Sequence, residues 1–244
     1  MKPTVVDDRI VSVSAPGSYE AEQYRLLRHI VEDLRKETGA RMLALTSPAV
    51  GDGKTTTAIN LAGALARGRD ARVLLVDLDL RRGTVGRQLR LGPDRPGLAD
   101  LVLDAERTLA AVAQPWVPGG FDVLGVGRVS AAPWDLLKLP RLGEVLDEAR
   151  LAWDFVVLDT PPIVPVPDCR IVAKWVDAFL LVVAAHKTPR RSVEQALEAL
   201  DPTKLAGIIF NRDDTMSSHT YGGYYTSSVS EMTGGGWWRR RRGA

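Results

Sequence analysis

The feature that most constrains this chain is a series of short, uninterrupted apolar runs that alternate with helix-like stretches. Strands of a parallel sheet have this appearance because helices cover both faces of the sheet. The alternation therefore predicts an α/β fold with a doubly wound, mainly parallel sheet. Strands are predicted at 42–46, 72–77, 121–124, 155–158, 178–183 and 205–210, and helices at 19–37, after Gly53, and at 98–103, 141–148, 171–175 and 191–200.

Composition narrows the class of protein. The chain has 244 residues, of which 45% are hydrophobic and 25% charged, as in ordinary soluble globular proteins. No apolar run approaches the roughly 18 residues of a membrane span, and the first residues lack the apolar stretch of a signal peptide. The single cysteine, Cys169, excludes an intramolecular disulfide and a cysteine-based metal site. We therefore expect a cytoplasmic protein, or one held at a membrane only through a partner.

Charge and composition also divide the chain into parts. Four arginines at 239–242 dominate the net charge of +2, since removing them leaves −2. The nearly neutral body gives no reason to expect nucleic acid as a partner. We predict an extended N-terminal arm over residues 1–18, one domain over 19–212, and a flexible tail over 213–244 that is rich in Gly, Ser and Thr.

The strongest local signal is the segment SPAVGDGKTTTAINLA. In it, Gly53, Lys54 and Thr55 match the end of a phosphate-binding loop placed between a strand and a helix. Such a loop turns backbone N–H groups toward phosphates, while the lysine neutralises their charge and the hydroxyl joins a magnesium shell. Pro48 stands where the motif usually has its first glycine. The alternative is an ordinary strand–turn–helix junction, which the flanking elements disfavour.

Two further predicted strands end in carboxylates. LLVDLDLR places Asp77 and Asp79 after one strand, and VVLDTPP places Asp159 after another. Because ligands of parallel sheets bind at the carboxyl ends of the strands, these side chains should meet near the phosphate-binding loop. Carboxylate oxygens suit Mg²⁺, which usually keeps several waters. The alternative is that the aspartates only start turns.

A charged pattern lies on the first predicted helix. That helix should bury the four residues of its apolar stripe, Leu27, Ile30, Val31 and Leu34. Glu22, Arg25 and Arg28 recur at i, i+3 and i+6 on nearly the opposite face, so we expect them to point away from the core. They form either a solvated face with local ion pairs or a contact surface.

Together, SPAVGDGKTTTAINLA, LLVDLDLRR and VVLDTPP resemble the Walker A, Walker A′ and Walker B motifs of the bacterial tyrosine kinases (BY-kinases). Ala49 stands where the related partition and division-site ATPases carry a second lysine, which favours the kinase branch. EQYRLLR, with Glu22, Arg25 and Arg28, resembles the family's E-x-x-R-x-x-R subunit-contact motif. AGIIFN ends in Asn211, which would lie near the adenine. The resemblance extends over roughly residues 19–230.

The resemblance implies a P-loop fold that binds ATP and Mg²⁺, and it implies roles for individual residues. Lys54, Asp77 and Asp79 would be catalytic, with Asp77 either the base for the tyrosine hydroxyl or a further metal ligand. Thr55, Asp79 and Asp159 would hold the metal, and Arg81 matches the family's basic residue after Walker A′. The nucleotide would be bound by Gly51, Asp52, Gly53, Lys54, Thr55, Thr56 and Asn211.

The resemblance also implies partners. Glu22, Arg25 and Arg28 would join copies of the chain into a ring in which each active site serves a neighbour's tail. The phosphoacceptors would be three of the chain's five tyrosines, Tyr221, Tyr224 and Tyr225. The implied pathway is control of capsule or exopolysaccharide polymerisation and export. A transmembrane co-polymerase would activate the kinase and recruit it to the inner face of the plasma membrane.

Two other functions stay open at this point. A partition-type ATPase is disfavoured by Ala49 and by the tyrosine-bearing tail. A non-catalytic nucleotide-binding scaffold that regulates polysaccharide assembly would carry the same motifs, and only an assay separates it from a kinase.

Overall fold

The computed structural model describes residues 6–213, apart from residues 69, 93, 130, 131, 165 and 167. Internal contacts divide the chain into two compact units, Met1–Arg212 and Asp213–Ala244. Apart from Asp213, the second unit lies outside the described residues. The predicted flexible tail and the three predicted phosphoacceptors, Tyr221, Tyr224 and Tyr225, therefore lie outside them as well.

The strands are β1 Met42–Thr46, β2 Val73–Asp77, β3 Gln114–Trp116, β4 Phe121–Leu124, β5 Phe155–Asp159, β6 Ala178–Ala184 and β7 Leu205–Asn211. Over the described residues they form one seven-stranded sheet in the order β3-β4-β2-β5-β1-β6-β7. Every neighbouring pair is parallel except β3 with β4. The predicted α/β fold with a mainly parallel sheet is confirmed.

The helices are α1 Val11–Ser14, α2 Tyr19–Thr38, α3 Lys54–Ala66, α4 Val85–Gln88, α5 Leu98–Leu103, α6 Leu109–Val112, α7 Pro133–Lys138, α8 Pro140–Ala152, α9 Asp168–Val172 and α10 Arg190–Ala199. Residues of α1 to α4 contribute to the core on one face of the sheet, and those of α5 to α10 to the core on the other. Since both faces are covered, every residue of β1, β2, β5 and β6 is buried. This double coverage is the reason that these strands read as continuous apolar runs.

The N-terminal segment differs from the predicted extended arm. It contains the short helix α1, and Ile10 beside it is only 1% exposed. The buried Asn60 of α3 holds the segment in place, because its Oδ1 accepts from Ser12 N at 2.9 Å and its Nδ2 donates to Arg9 O at 2.9 Å. A predicted arm with no apolar periodicity thus packs as part of the domain, through a contact that joins residues 48 positions apart.

The orientation of α2 corrects two further expectations. Val31 is buried as predicted, but Ile30 is 54% exposed. Successive helical residues are about 100° apart, so Ile30 points well away from Val31, whereas Arg28 lies on the flank of the buried side. Arg28 therefore does not face away from the core, and its Nη1 lies 3.5 Å from the carbonyl oxygen of Ala64 in α3.

One helix is also displaced along the chain. The helix predicted at 171–175 begins earlier, at Asp168, and ends at Val172. The start of α9 includes the buried polar side chain of Asp168.

We predict that Asn60→Ala lowers the free energy of unfolding by about 2–3 kcal/mol, since it leaves the buried Ser12 N–H and the Arg9 carbonyl without their partner. Urea unfolding measures the change. Gln23→Ala, an amide truncation at an exposed position of α2, is the matched control and should stay within about 0.5 kcal/mol of the wild type. A loss below about 1 kcal/mol in Asn60→Ala would show that this amide does not secure the N-terminal segment.

Candidate active site

The loop between β1 and α3 is shaped to receive an anion. Gly51 and Gly53 have φ values of +89° and +98°, in the left-handed region that favours glycine. Gly53 caps α3 without a side-chain hydrogen bond, so the amides of the first helical turn remain free to donate to a ligand. A side chain at Gly53 would displace the Asn211 amide from the Asp52 carbonyl oxygen, because its Cβ would lie 2.0 Å from Asn211 Nδ2. These features agree with the predicted phosphate-binding loop.

The loop is held in place by a buried carboxylate. Asp52 is 1% exposed, and its Oδ2 accepts from Ala49 N at 2.9 Å while its Oδ1 accepts from Thr188 Oγ1 at 2.8 Å. Asn211 Nδ2 donates to the Asp52 carbonyl oxygen at 2.9 Å. The connection between β6 and α10 and the end of β7 therefore both brace the loop. Sequence reasoning missed Thr188, because no local motif marks a hydroxyl that is 136 residues away from its partner.

Three predicted carboxylates meet the predicted lysine at the carboxyl edge of the sheet. Asp77 and Asp159 are register neighbours at the ends of β2 and β5. Lys54 Nζ lies 3.1 Å from Asp79 Oδ2 and 3.3 Å from Asp159 Oδ1. Thr55 Oγ1 donates to Asp159 Oδ2 at 2.6 Å. The lysine ammonium thus bridges two carboxylates directly beside the phosphate-binding loop.

Burial determines the protonation of this cluster. Burial, reinforced by the charge of Asp159, raises the pKa of Asp77 to about 8, although the Val85 N–H donates to its Oδ2 at 3.0 Å. Burial also raises the pKa of Asp159, against the opposing effect of Lys54. For Lys54 itself, burial disfavours the charge, but Asp159 and Asp79 outweigh it and raise the pKa. At neutral pH Lys54 is therefore charged, and Asp77 holds a proton.

The donor set is suited to a magnesium ion that shares its ligands with phosphate and water. No three His, Cys, Asp or Glu side chains in the described part of the chain are arranged to hold a metal ion by themselves. The predicted ligands Thr55, Asp79 and Asp159 do lie together, and Thr84 Oγ1 lies 3.0 Å from Thr55 Oγ1. Hydroxyl and carboxylate oxygens are ligands that Mg²⁺ accepts while it keeps several waters.

Two other groups of predicted residues lie at different places. Arg81, after β2, forms a two-pronged ion pair with the buried Asp168, at 2.9 and 3.1 Å. Sequence reasoning singled out Arg81 but missed Asp168, which carries no recognisable motif. Glu22 and Arg25 pair with each other on α2, and Arg25 also donates to the Pro16 carbonyl oxygen. The structure does not bring these α2 residues into the Lys54 cluster.

We predict that the free energy of unfolding of Asp77→Asn rises relative to that of the wild type as the pH increases. The native state keeps the Asp77 proton up to a pKa of about 8, whereas an unfolded aspartate releases it near 3.9. Between these values the wild type loses stability as the pH rises, by roughly 1 kcal/mol per pH unit, and the variant lacks this loss.

Urea unfolding between pH 5 and about pH 8, without metal or nucleotide, measures this difference. Asp147→Asn, at an exposed position of α8, is the control and should change stability by less than about 0.5 kcal/mol. A difference between Asp77→Asn and the wild type that does not vary with pH would contradict a protonated Asp77.

Comparisons with known proteins identify the family of this chain. A family profile described as an AAA domain matches residues 40–201. The chain is 35% identical over 225 residues to the tyrosine-protein kinase YwqD of Bacillus subtilis, covering 91% of this chain and 93% of that protein. It is 31% identical to the tyrosine-protein kinase etk of Escherichia coli K12, covering 82% of this chain but only 28% of that longer protein.

A solved structure gives the same relationship. The kinase domain of the Escherichia coli tyrosine kinase ETK superposes with a TM-score of 0.78 at 29% identity, covering 87% of this chain and 84% of that domain. None of the helices in the described part of the chain combines the length and the hydropathy that a membrane span requires. The fold, the phosphate-binding loop and these relatives lead to one conclusion: the chain belongs to the bacterial tyrosine-protein kinases, a family of P-loop ATPases.

Proposed function

We propose that this chain is an ATP- and Mg²⁺-dependent tyrosine autokinase. The observation that carries the proposal is the position of the Lys54 ammonium, 3.1 and 3.3 Å from Asp79 and Asp159. It lies at the N-terminus of α3, which has no side-chain cap. Phosphoryl transfer depends on positioning and on charge stabilisation, and this arrangement offers both. The reaction would move the γ-phosphoryl group of ATP to a tyrosine hydroxyl and release ADP.

The binding roles follow from what each group can donate. The N–H groups of Gly51, Gly53 and the first turn of α3 would receive the phosphates, with Lys54 neutralising their charge. Mg²⁺ would neutralise further phosphate charge when bound, and Thr55, Asp79 and Asp159 would hold it. Asn211, braced against the Asp52 carbonyl, would lie beside the adenine.

Asp77 would accept the proton of the tyrosine hydroxyl. The new bond joins the phenolic oxygen to the γ-phosphorus, the bond to the β–γ bridging oxygen breaks, and the phenolic proton passes to the Asp77 carboxylate. A pKa of about 8 is closer to that of a tyrosine than an ordinary carboxylate would be, which favours this transfer. Asp77 must first give up the proton that it holds in the nucleotide-free site, and a nearby metal charge would promote that loss.

The acceptors would be Tyr221, Tyr224 and Tyr225, which follow the P-loop domain in the tail at 213–244. Tyr221 lies ten positions after Asn211, and an extended segment of that length reaches at most about 33–36 Å. That reach allows the acceptor to come from a neighbouring copy. Each phosphate adds roughly −1.5 to −2 charge, so a phosphorylated tail would be repelled by the carboxylates of the site. Phosphorylation would then release the tail.

The contact between copies would lie on α2. Glu22, Arg25 and Arg28 match the subunit-contact motif, and two apolar side chains of the same helix, Leu26 and Ile30, are 58% and 54% exposed. Exposed apolar side chains one helical turn apart offer a surface that a second copy could bury. A ring of copies is therefore part of the proposal.

The family resemblance also supports a pathway. We propose that the chain regulates the polymerisation and export of capsule or exopolysaccharide, and that a transmembrane co-polymerase activates it at the inner face of the plasma membrane. A scaffold that binds nucleotide without transferring phosphate remains the rival. Nucleotide binding without phosphotyrosine, in the presence of the partner's cytoplasmic tail, would favour that rival.

We predict that Lys54→Met reduces tyrosine phosphorylation at least about 100-fold. The phosphates lose the positive charge of Lys54, whose attraction for them is strongest in the transition state. Purified protein is incubated with Mg·ATP and the partner's cytoplasmic tail, and phosphotyrosine is mapped by mass spectrometry. Lys36→Met, which removes an exposed lysine of α2, is the control and should leave the activity unchanged. Autophosphorylation retained in a folded Lys54→Met chain would refute this loop as the active site.

Transfer between copies is tested by mixing two full-length chains. An active chain with Tyr221, Tyr224 and Tyr225 changed to Phe should phosphorylate a Lys54→Met chain within residues 221–225. Phosphate found only elsewhere, or no transfer despite co-assembly, would contradict the proposed acceptors.

We also predict that Leu26→Asp, and separately the joint replacement of Glu22, Arg25 and Arg28 by Ala, shifts the assembly toward monomer. Both changes remove contact chemistry from α2, and Leu26→Asp does so at an exposed position that the fold does not require. Light scattering at equal concentration measures the mass, and the joint change of Asp33 and Lys36 to Ala, farther along α2, is the control. An unchanged mass distribution in both variants would place the contact elsewhere.

A further inference from the structure

The turn between β6 and α10 is locked against the phosphate-binding loop. Ala185 N donates to the Asn211 carbonyl oxygen at 2.8 Å, so the turn is tied to the end of β7. Thr188 N donates to the Ala184 carbonyl oxygen at 3.0 Å, and Ala184 N donates to Thr188 Oγ1 at 3.1 Å. The same hydroxyl donates to the Asp52 carboxylate of the loop. The residue that precedes Thr188 therefore has its backbone held at a defined place, from which its side chain extends.

That side chain is Lys187, which is exposed. Its Nζ lies 3.3 Å from the position that a Cβ on Gly51 would occupy, so the ammonium reaches the backbone of the phosphate-binding loop itself. Lys187 forms no ion pair with a carboxylate among residues 6–213 as far as these are described. Its charge is consequently available to a ligand in the loop.

The charges of the site explain why a second cation would matter. Lys54 is shared between Asp79 and Asp159, so its single positive charge faces two carboxylates. The guanidinium of Arg81 is paired with Asp168. Mg·ATP carries net negative charge, and the Lys54 cluster alone does not offset it. A further cation beside the loop would add attraction for such a ligand.

We propose that Lys187 is a second phosphate-binding cation of this site, which contacts the nucleotide's phosphate groups from beside Gly51 of the loop. The inference rests on the proposed function, since it concerns the same nucleotide. It assigns recognition to the charge of the phosphates and not to the base. A charge-assisted contact of this kind is worth a factor of about ten in affinity.

The test is the dissociation constant for ATP, ADP and adenosine, measured by calorimetry on the full chain with Mg²⁺. Lys187→Ala should bind ATP about tenfold more weakly than the wild type and ADP more weakly by a smaller factor, with adenosine unchanged. Lys187→Arg should restore the affinity for ATP to within about threefold. The effect of Lys187→Ala should shrink at high salt, because the site is exposed.

The matched control is Arg190→Ala. Arg190 is an exposed cation three residues further along, and it is already paired with Glu194 at 2.8 Å. The Arg190→Ala variant should therefore bind ATP with an affinity within about twofold of the wild type.

Two outcomes overturn the inference and can be told apart. If the wild type binds ATP and Lys187→Ala binds it equally well, or loses ATP and adenosine to the same extent, Lys187 does not contact phosphate, and the proposed function is untouched. If the wild type itself binds neither ATP nor ADP, the proposed function fails and the inference fails with it.

Discussion

The Lys54 ammonium, held between the carboxylates of Asp79 and Asp159, is the interaction on which the site depends. A charge that is almost removed from water is costly unless it is paired, and the pairing here comes from residues 25 and 105 positions away. Removing one partner of such a cluster leaves an uncompensated charge. The lysine and the two carboxylates therefore require one another for electrostatic reasons as well as for chemistry.

The strand order explains how these residues meet. Strand β5 lies between β1 and β2, so the loop after β1 and the carboxylates after β2 and β5 end at the same edge of the sheet. The chain leaves β1 through α3 and returns in β2, two positions away in the sheet. Open α/β sheets bind their ligands at the carboxyl ends of their strands, where such connections diverge. Lys54, as the first residue of α3, lies at that edge.

Much of this could be predicted from the sequence because the signals were local. The apolar runs predicted six of the seven strands of the described sheet, all but β3. Lys54, Asp77, Asp79 and Asp159 could be placed at one edge because each lies at or just beyond the end of a predicted element. What sequence reasoning missed depends on contacts between distant segments. Thr188 and Lys187 belong to a turn with no motif of its own, and they matter only because β6 and β7 carry that turn to the loop. The N-terminal segment and Ile30 were mispredicted for the same reason, because packing against α3 determines which side of α1 and of α2 is buried.

A crystal structure of the chain with Mg²⁺ and a non-hydrolysable ATP analogue is the most direct test of this account. In that structure Lys54 Nζ should leave at least one of its two carboxylates and come within hydrogen-bond distance of a phosphate oxygen. The metal should lie beside Thr55 and Asp79, and the adenine beside Asn211. A nucleotide bound away from this loop, or a Lys54 that remains between both carboxylates without touching phosphate, would contradict the account.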